Sequence, residues 1–312
     1  MVNLHNYFND VGQNLQVPFS ARTALKLSLI ITGAQRHAEM HRFFRSLLVQ
    51  NKSGFDIEII FVNQGDFEPP RDDLADHGIV LREIRTCQLP LSKARNLALA
   101  EANGDIYAFP DDDCWYPEEL LSNIAEIFEN NASLDAVCTN VYDPVTQLSY
   151  GGRPVGVDCK INFSNLFKLP ISVGLFVRGN AFRSAGYFFD EQLGAGTSLG
   201  SGEETDLVYR LLRHSFRIEY RGTLQVFHPI PEYQETDIPK FYKYGRGFGF
   251  LNGAILRDGE FRVIRQLSYV LFRSLGGVVF NIFRTTHRNV YLSRLLGVCH
   301  GLIQGLKKTS DR

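Results

Sequence analysis

Three consecutive aspartates form the densest group of chemically active side chains in the sequence. Asp111, Asp112 and Asp113 directly follow an apolar run at residues 105–110, DIYAFP. Two carboxylates about 4 Å apart repel each other by about 4 kcal/mol at an effective dielectric constant near 20, so the cluster needs a cation or a hydrogen-bond network. Hard oxygen ligands suit Mg²⁺ or Mn²⁺, particularly where substrate phosphates complete the coordination shell. The alternative is a solvated acidic turn before a helix that begins at Pro117, but the position after a buried strand favours a metal site.

The pattern of apolar residues predicts the scaffold that positions these aspartates. Helices are predicted at residues 92–102, 117–130 and 203–214, with another after Gly33. Buried β-strands are predicted at residues 27–32, 57–62, 79–84, 105–110, 134–140, 172–178 and 217–220. This alternation implies an α/β fold with a mostly parallel sheet, whose ligands bind beyond the carboxyl ends of the strands. Thr32, Asn63 and Gln64 stand at such strand ends, as do the aspartates.

Composition and cysteine usage restrict the class of protein. The chain has 312 residues, of which 44% are hydrophobic and 21% charged, which suits one large globular domain with an appendage and excludes general disorder. The five cysteines have no paired spacing, which favours free thiols in a reducing compartment. The first residues lack the basic start and apolar core of a signal peptide. We therefore expect a protein of the cytoplasm or of the cytoplasmic face of the cell membrane.

The carboxyl-terminal tail differs from the rest of the chain in charge. Residues 257–312 hold ten Lys/Arg against three Asp/Glu, about +7, so the remainder carries about −8. An acidic body argues against a nucleic-acid partner. Apolar residues recur with a helical period at residues 263–283 and 290–306, interrupted by arginines. Basic amphipathic helices of this kind lie on an anionic membrane surface rather than crossing it; the alternative is a helical pair packed on the catalytic body.

Two longer segments resemble the glycosyltransferases of family 2, which have the GT-A fold. Residues 91–120, which contain the aspartates, are similar to the donor-site segment of that family, and residues 188–220 are similar to its acceptor-site segment. The resemblance implies an inverting, metal-dependent hexosyltransferase-type enzyme. It would move a sugar from a nucleotide-sugar donor to a glycan or polyprenyl-diphosphate-linked acceptor, in cell-surface polysaccharide synthesis.

The resemblance also implies a division of the chain and a set of donor-side residues. Residues 1–24 form an amino-terminal extension. Residues 25–256 form the Rossmann-like GT-A domain, with a donor half to about 140 and an acceptor half from about 141. Residues 257–312 form the amphipathic tail. The Mn²⁺ or Mg²⁺ ligands are Asp111, Asp113 and His228, and the donor-binding residues are Thr32, Gln64, Arg95, Asp111 and Asp112.

The catalytic base is expected in the acidic group at residues 203–206. Glu204 stands where the family usually has an aspartate, and Glu203 and Asp206 are the alternatives. Glu204 also fits a helix-capping box with Ser201, which would be a structural role. The acceptor-side residues are Trp115, Gly202, Glu203 and Arg246. Trp115 suits either a sugar-stacking platform or the core, and the segment around Arg246 suits either acceptor phosphate binding or a hinge.

Two other classes of function are open, and departures from the family pattern support the first of them. Residues 32–36 read TGAQR where the family more often has a Tyr-Asn-Arg type of turn, and Asn63 replaces a common aspartate. A catalytically degenerate GT-A protein, acting as a membrane-associated scaffold or glycan-binding module, is one alternative. A glycoside hydrolase with two carboxylates and no metal is the other.

Overall fold

A computed structural model describes residues 24–230 and 237–307. The amino-terminal extension expected at residues 1–24 therefore lies almost wholly outside the described residues, as does Lys308 of the basic tail. The strands are β1 (Leu25–Gly33), β2 (Phe55–Asn63), β3 (Val80–Arg85), β4 (Ile106–Ala108), β5 (Ala136–Asp143), β6 (Leu148–Ser149), β7 (Asp158–Lys160), β8 (Leu175–Arg178) and β9 (Ile218–Phe227). The helices are α1 (His37–Leu48), α2 (Arg71–Asp76), α3 (Leu91–Leu99), α4 (Leu120–Asn130), α5 (Gly179–Ser184), α6 (Glu203–Arg213), α7 (Ile238–Arg257), α8 (Ile264–Phe280) and α9 (Thr285–Lys307).

The strands of the described chain form one mixed, mostly parallel sheet. Its order is β3-β2-β1-β4-β8-β5-β9-β7, with β6 paired to β5. Strands β3, β2, β1 and β4 are all parallel, and β5 is parallel to β9, whereas β8 runs antiparallel to both β4 and β5. The α/β fold expected from the sequence is thereby confirmed.

The central strands are apolar on both faces because helices cover both faces of the sheet. In β1, Leu27, Leu29 and Ile31 face one apolar cluster, which includes α1 and α4. Ile30 faces the other cluster, which includes α3 and α6. Strands buried in this way read as near-continuous apolar runs, which is why the sequence located them. All five cysteines are free thiols, as expected, and Cys114 and Cys138 are buried.

The strand order places the aspartate loop at a switch point of the sheet. Strand β1 lies between β2 on one side and β4 on the other, so the chain leaves the carboxyl ends of β1 and β4 in opposite directions. Such a divergence opens a crevice at the carboxyl edge, where α/β proteins bind their ligands. Asp111, the first of the three aspartates, stands three residues after the last residue of β4.

Residues 240–250, for which a hinge is one of the two alternatives, lie inside the 20-residue helix α7. Its glycines face those of α9 at four-residue intervals: Gly245, Gly249 and Gly253 on α7, and Gly297, Gly301 and Gly305 on α9. A Cβ atom at any of the six would lie within 3.0 Å of a backbone atom of the opposite helix. The two helices therefore pack backbone against backbone, a contact that only glycine permits at this distance.

The boundary predicted near residue 257 thus falls within a single helical packing unit. Helix α9 packs along α7, and α8 contributes Leu267 and Val270 to a small cluster with Val298 of α9. In the described residues one helical stretch, Phe261–Phe280, is long and apolar enough to cross a membrane, and most of it is not buried. Length and composition alone make it compatible with lying on a bilayer or with crossing one.

Candidate active site

Two arginines hold the aspartate loop, one at the start of α1 and one inside that helix. Arg36, at the start of α1, donates to Asp112 Oδ1 at 3.0 Å and also bonds the carboxylate of Asp113. Arg42, inside α1, donates to the backbone oxygen of Asp113 at 2.8 Å. The positive charge of these arginines offsets part of the repulsion within the cluster.

The outer aspartates converge on His228, which follows β9. Ligand atoms of Asp111, Asp113 and His228 all lie within 4.8 Å of one another, a group that could hold a metal ion. His228 Nε2 is 3.0 Å from Asp113 Oδ1. Its Nδ1 is 2.6 Å from the carbonyl oxygen of Pro229 and must donate a proton to it. This hydrogen bond aims Nε2 into the cluster, as in histidines that bind metals.

The pKa values of these groups show how strongly they interact. Burial raises the pKa of Asp111 despite the opposing charge of Arg95, and burial raises the pKa of Asp112 to about 6. Burial would also raise the pKa of Asp113, but hydrogen bonding and charge from His228, with Arg36, outweigh it and lower that pKa. Burial would lower the pKa of His228, but Asp113 outweighs it and raises it. Asp113 and His228 thus favour each other's charged forms.

Arg95 connects the aspartate loop to the acidic group on α6. This arginine is fully buried, and its Nη2 lies 2.8 Å from Asp111 Oδ1 while its Nη1 lies 3.5 Å from Glu203 Oε1. Its guanidinium also lies 5.4 Å from the ring centre of Phe189. Its Nε finds no hydrogen-bond partner in the described part of the chain. One buried cation thus binds the two segments that the sequence assigned to donor and acceptor.

The start of α6 differs from the capping box considered for Ser201 and Glu204. The N-cap is Gly202, whose φ of 103° lies in the left-handed region that favours glycine. The hydroxyl of Ser201 instead donates to the backbone oxygen of Tyr244 on α7, at 3.1 Å. Gly247 allows this approach, since a Cβ there would lie within 3.0 Å of the Ser201 backbone. The loop before α6 therefore rests on α7, and the capping box does not form.

The three acidic candidates at residues 203–206 have different surroundings. Glu203 is buried and paired with Arg95, and burial together with neighbouring Glu204 raises its pKa to about 8. Asp206 is buried and pairs with Arg210 at 3.0 Å. Glu204 is half-buried, has no ion pair within the described ranges, and has its pKa raised by burial. Glu204 is thus the member whose carboxylate is least engaged by the protein.

Residues 28–188 match the family described as glycosyl transferase family 2. The match covers more than half of the chain. The chain belongs to glycosyl transferase family 2. No curated protein matched the chain.

Solved structures share the fold of this family 2 transferase. The crystal structure of S. aureus TarS is 17% identical, with a TM-score of 0.52, and the match covers 73% of this chain and 40% of that one. This chain therefore spans about two fifths of that TarS structure. The crystal structure of S. aureus TarS 1–349 is 14% identical, with a TM-score of 0.53 and coverage of 86% and 90%. Its complex with UDP-GlcNAc gives the same identity and coverage, with a TM-score of 0.54.

The expected donor-side residues of the transferase lie at the same edge of the sheet. Thr32 is half-buried near the end of β1, and Gln64 directly follows β2. The side-chain oxygen of Gln64 accepts a hydrogen bond from the backbone N–H of Leu89 at 2.6 Å. Asn63 is buried and donates to the Phe67 carbonyl and to Glu83, so it shapes the turn after β2.

The expected acceptor-side residues are more dispersed. The half-buried indole of Trp115 has Arg42 over its ring at 3.7 Å and Phe227 beside it, so one ring face is already covered. Arg246, on α7, donates to Gln304 of α9 at 2.9 Å. Gly202 and Glu203, in contrast, lie beside the Arg95 bridge.

Sequence reasoning missed three features of the site. Arg36 and Arg42 contact the aspartate loop although about 70 residues separate them from it in the chain. The TGAQR turn contains Arg36, but in the sequence this turn stands out only as a departure from the family pattern. The Arg95–Glu203 pair was missed because no sequence pattern indicates which residue either side chain pairs with. The four-residue glycine spacing of α7 and α9 was a usable signal.

Proposed function

We propose that this family 2 transferase moves a sugar from a nucleoside-diphosphate sugar to an acceptor hydroxyl by a single displacement, inverting the anomeric carbon. The observation that carries the proposal is the convergence of Asp111, Asp113 and His228 beside Arg95, which reaches the acidic start of α6. A donor diphosphate needs a cationic group, and an acceptor hydroxyl needs a base close to it. Membership of the family gives no support to the glycoside hydrolase alternative.

The metal ligands we propose are Asp113, Asp111 and His228. Two carboxylates and an imidazole fit Mn²⁺ or Mg²⁺, and the Pro229 carbonyl already fixes the tautomer that leaves His228 Nε2 free to bind. A divalent ion there would offset the negative charge that develops on a departing nucleoside diphosphate. Arg95, with its unpartnered Nε, and Asp112 would border the donor.

We propose Glu204 as the base that accepts the proton of the acceptor hydroxyl. Glu203 and Asp206 are the alternatives, but each has an arginine partner that holds its carboxylate. Burial raises the pKa of Glu204, which strengthens it as a base at neutral pH. Glu203 would instead position α6 against the donor through Arg95.

The donor nucleotide we propose to test first is UDP. TarS 1–349 has been crystallised with UDP and with UDP-GlcNAc, and it shares the fold of this chain. Thr32 and Gln64, at the ends of two adjacent strands, would line the nucleoside pocket. The Leu89 contact leaves the amide nitrogen of Gln64 available to a base or ribose.

The acceptor we propose is a glycan or a polyprenyl-diphosphate-linked sugar of cell-surface polysaccharide synthesis. Trp115, Gly202 and Arg246 are the residues proposed for its side of the cleft. Since a polyprenyl chain is confined to a bilayer, the enzyme would act at the cytoplasmic face of the membrane.

Substitutions at Glu204 can distinguish a role as catalytic base from a structural role. We expect Glu204→Gln to lower turnover by about 10²- to 10⁴-fold while the Mn²⁺-dependent thermal shift caused by UDP-sugars stays the same. Glu204→Asp should recover part of the activity, and Glu129→Gln, an exposed position on α4, should have no effect. Full turnover by Glu204→Gln would remove Glu204 from the mechanism. Donor binding without turnover by the wild-type enzyme, over a broad acceptor panel, would favour the degenerate alternative.

A further inference from the structure

More than half of the exposed large hydrophobic side chains in the described chain lie on the hairpin formed by α8 and α9. The turn between the helices is the most apolar part, since Phe280 is 89% exposed, Ile282 55% and Phe283 96%. The outer face of α8 continues this surface through Tyr269, Phe272, Leu275 and Val279. A helix on the surface of a soluble protein normally turns polar residues outward. Helix α8 instead carries large apolar side chains on its exposed face as well as on its buried face.

The charges on the same hairpin are of one sign. Residues 264–307 contain six Lys/Arg and no Asp or Glu. Arg265, Arg273 and Arg284 are exposed beside the apolar surface. A protein partner with an apolar patch would not require this row of cations, whereas anionic headgroups bordering a hydrocarbon layer match both features.

We propose that the α8–α9 hairpin is a membrane-docking element. The turn at Phe280 and Phe283 and the outer face of α8 enter the interface of an anionic bilayer, while the exposed arginines contact headgroup phosphates. We name this surface the docking hairpin. This surface is where the proposed transferase would meet its membrane. Only the consequence for catalysis rests on the proposed function, because vesicle binding is measured without turnover.

The docking hairpin is mechanically joined to the acceptor side of the cleft. Helix α9 packs on α7 through the six facing glycines, and α7 carries the loop before α6 through Gly247. Backbone packed against backbone has no flexible side chain at the contact, so displacements pass directly between the helices. Docking would therefore fix the orientation of Gly202 and Glu204 relative to the bilayer, where a lipid-linked acceptor presents its hydroxyl.

The test is co-sedimentation of the full chain with phosphatidylcholine vesicles, with or without phosphatidylglycerol. We expect binding to the anionic vesicles. Phe280→Ser with Phe283→Ser should weaken it at least about tenfold, because two apolar side chains no longer enter the bilayer. Arg273→Gln with Arg284→Gln should weaken it by about 30-fold at low salt, with little difference at high salt.

Val145→Ser with Leu148→Ser is the matched control, because these side chains are 86% and 58% exposed near β6 and outside the docking hairpin. This variant should bind as the wild type does. Circular dichroism melting confirms that each variant folds.

Three results would overturn the proposal: no binding of the wild type to anionic vesicles, unchanged binding of the phenylalanine variant, or sedimentation velocity showing a wild-type dimer that this variant dissociates. The last result would assign the surface to a second copy of the chain. Loss of vesicle binding with normal turnover on a water-soluble acceptor leaves the catalytic proposal intact, whereas vesicle binding without any turnover contradicts the catalytic proposal alone.

Discussion

Arg36 occupies the carboxylates that a divalent metal would use. Its guanidinium bonds both Asp112 and Asp113, and Asp113 is one of the three residues that could hold the ion. A metal and this arginine therefore compete for the same negative charge. Arg36→Ala should tighten Mn²⁺ binding when no donor is present.

The size of the effect follows from the exposure of the pair. The side chain of Arg36 is 53% exposed, so solvent screens its two ion pairs. Exposed ion pairs contribute about 0.2–1 kcal/mol each, which gives about 0.4–2 kcal/mol for two. At about 1.4 kcal/mol per tenfold change, the expected gain in Mn²⁺ affinity is about 2- to 30-fold.

Isothermal titration calorimetry with Mn²⁺ and the full chain measures this gain without any turnover. Arg45→Ala is the matched control, because Arg45 is an exposed arginine in the last turn of the same helix. The gain should shrink as ionic strength rises, since salt screens the pairs in the wild type. Unchanged or weaker Mn²⁺ binding by a folded Arg36→Ala variant would refute competition between the two cations.

Three further predictions concern the packing, the acidic pair and the metal. Gly301→Ala should destabilise the protein by about 1–3 kcal/mol in urea unfolding, because a Cβ there would lie within 3.0 Å of the backbone of α7. Gly276→Ala is the control: a Cβ there would meet nothing nearer than 3.9 Å, so this change should stabilise the protein by up to about 1 kcal/mol. Equal effects of the two changes would contradict the close packing of α7 and α9. The pKa of Glu203 is raised to about 8, so the folded state retains a proton that the unfolded state releases near pH 4.5. The free energy of unfolding of the wild type, relative to that of Glu203→Gln, should therefore fall as pH rises between these two values. A rise over that window in unfolding curves would show that Arg95 holds the carboxylate ionised. Asp113→Asn should abolish the Mn²⁺ dependence of donor-induced thermal shifts, and a retained dependence would place the ion elsewhere.

The sequence predicted the fold because its signals are local. A strand buried on both faces, such as β1 or β2, must be apolar over its whole length, and this pattern needs no knowledge of neighbours. The position of the aspartates after β4 followed in the same way. Elements with mixed signals were missed: α7 contains four glycines, which oppose a helix unless close packing compensates for them.

By itself, the sequence determined that an acidic cluster stands at the carboxyl edge of a parallel sheet, because strand order along the chain and the direction of a parallel strand fix that edge. Only the tertiary structure decided which cations face that cluster and which acid on α6 stays unpaired. Arg36, Arg95 and His228 reach the aspartates from three separate elements, and Glu203 meets Arg95 across 108 residues of chain. Such pairings depend on how elements pack in space, and a charged side chain carries no periodic pattern that names its partner.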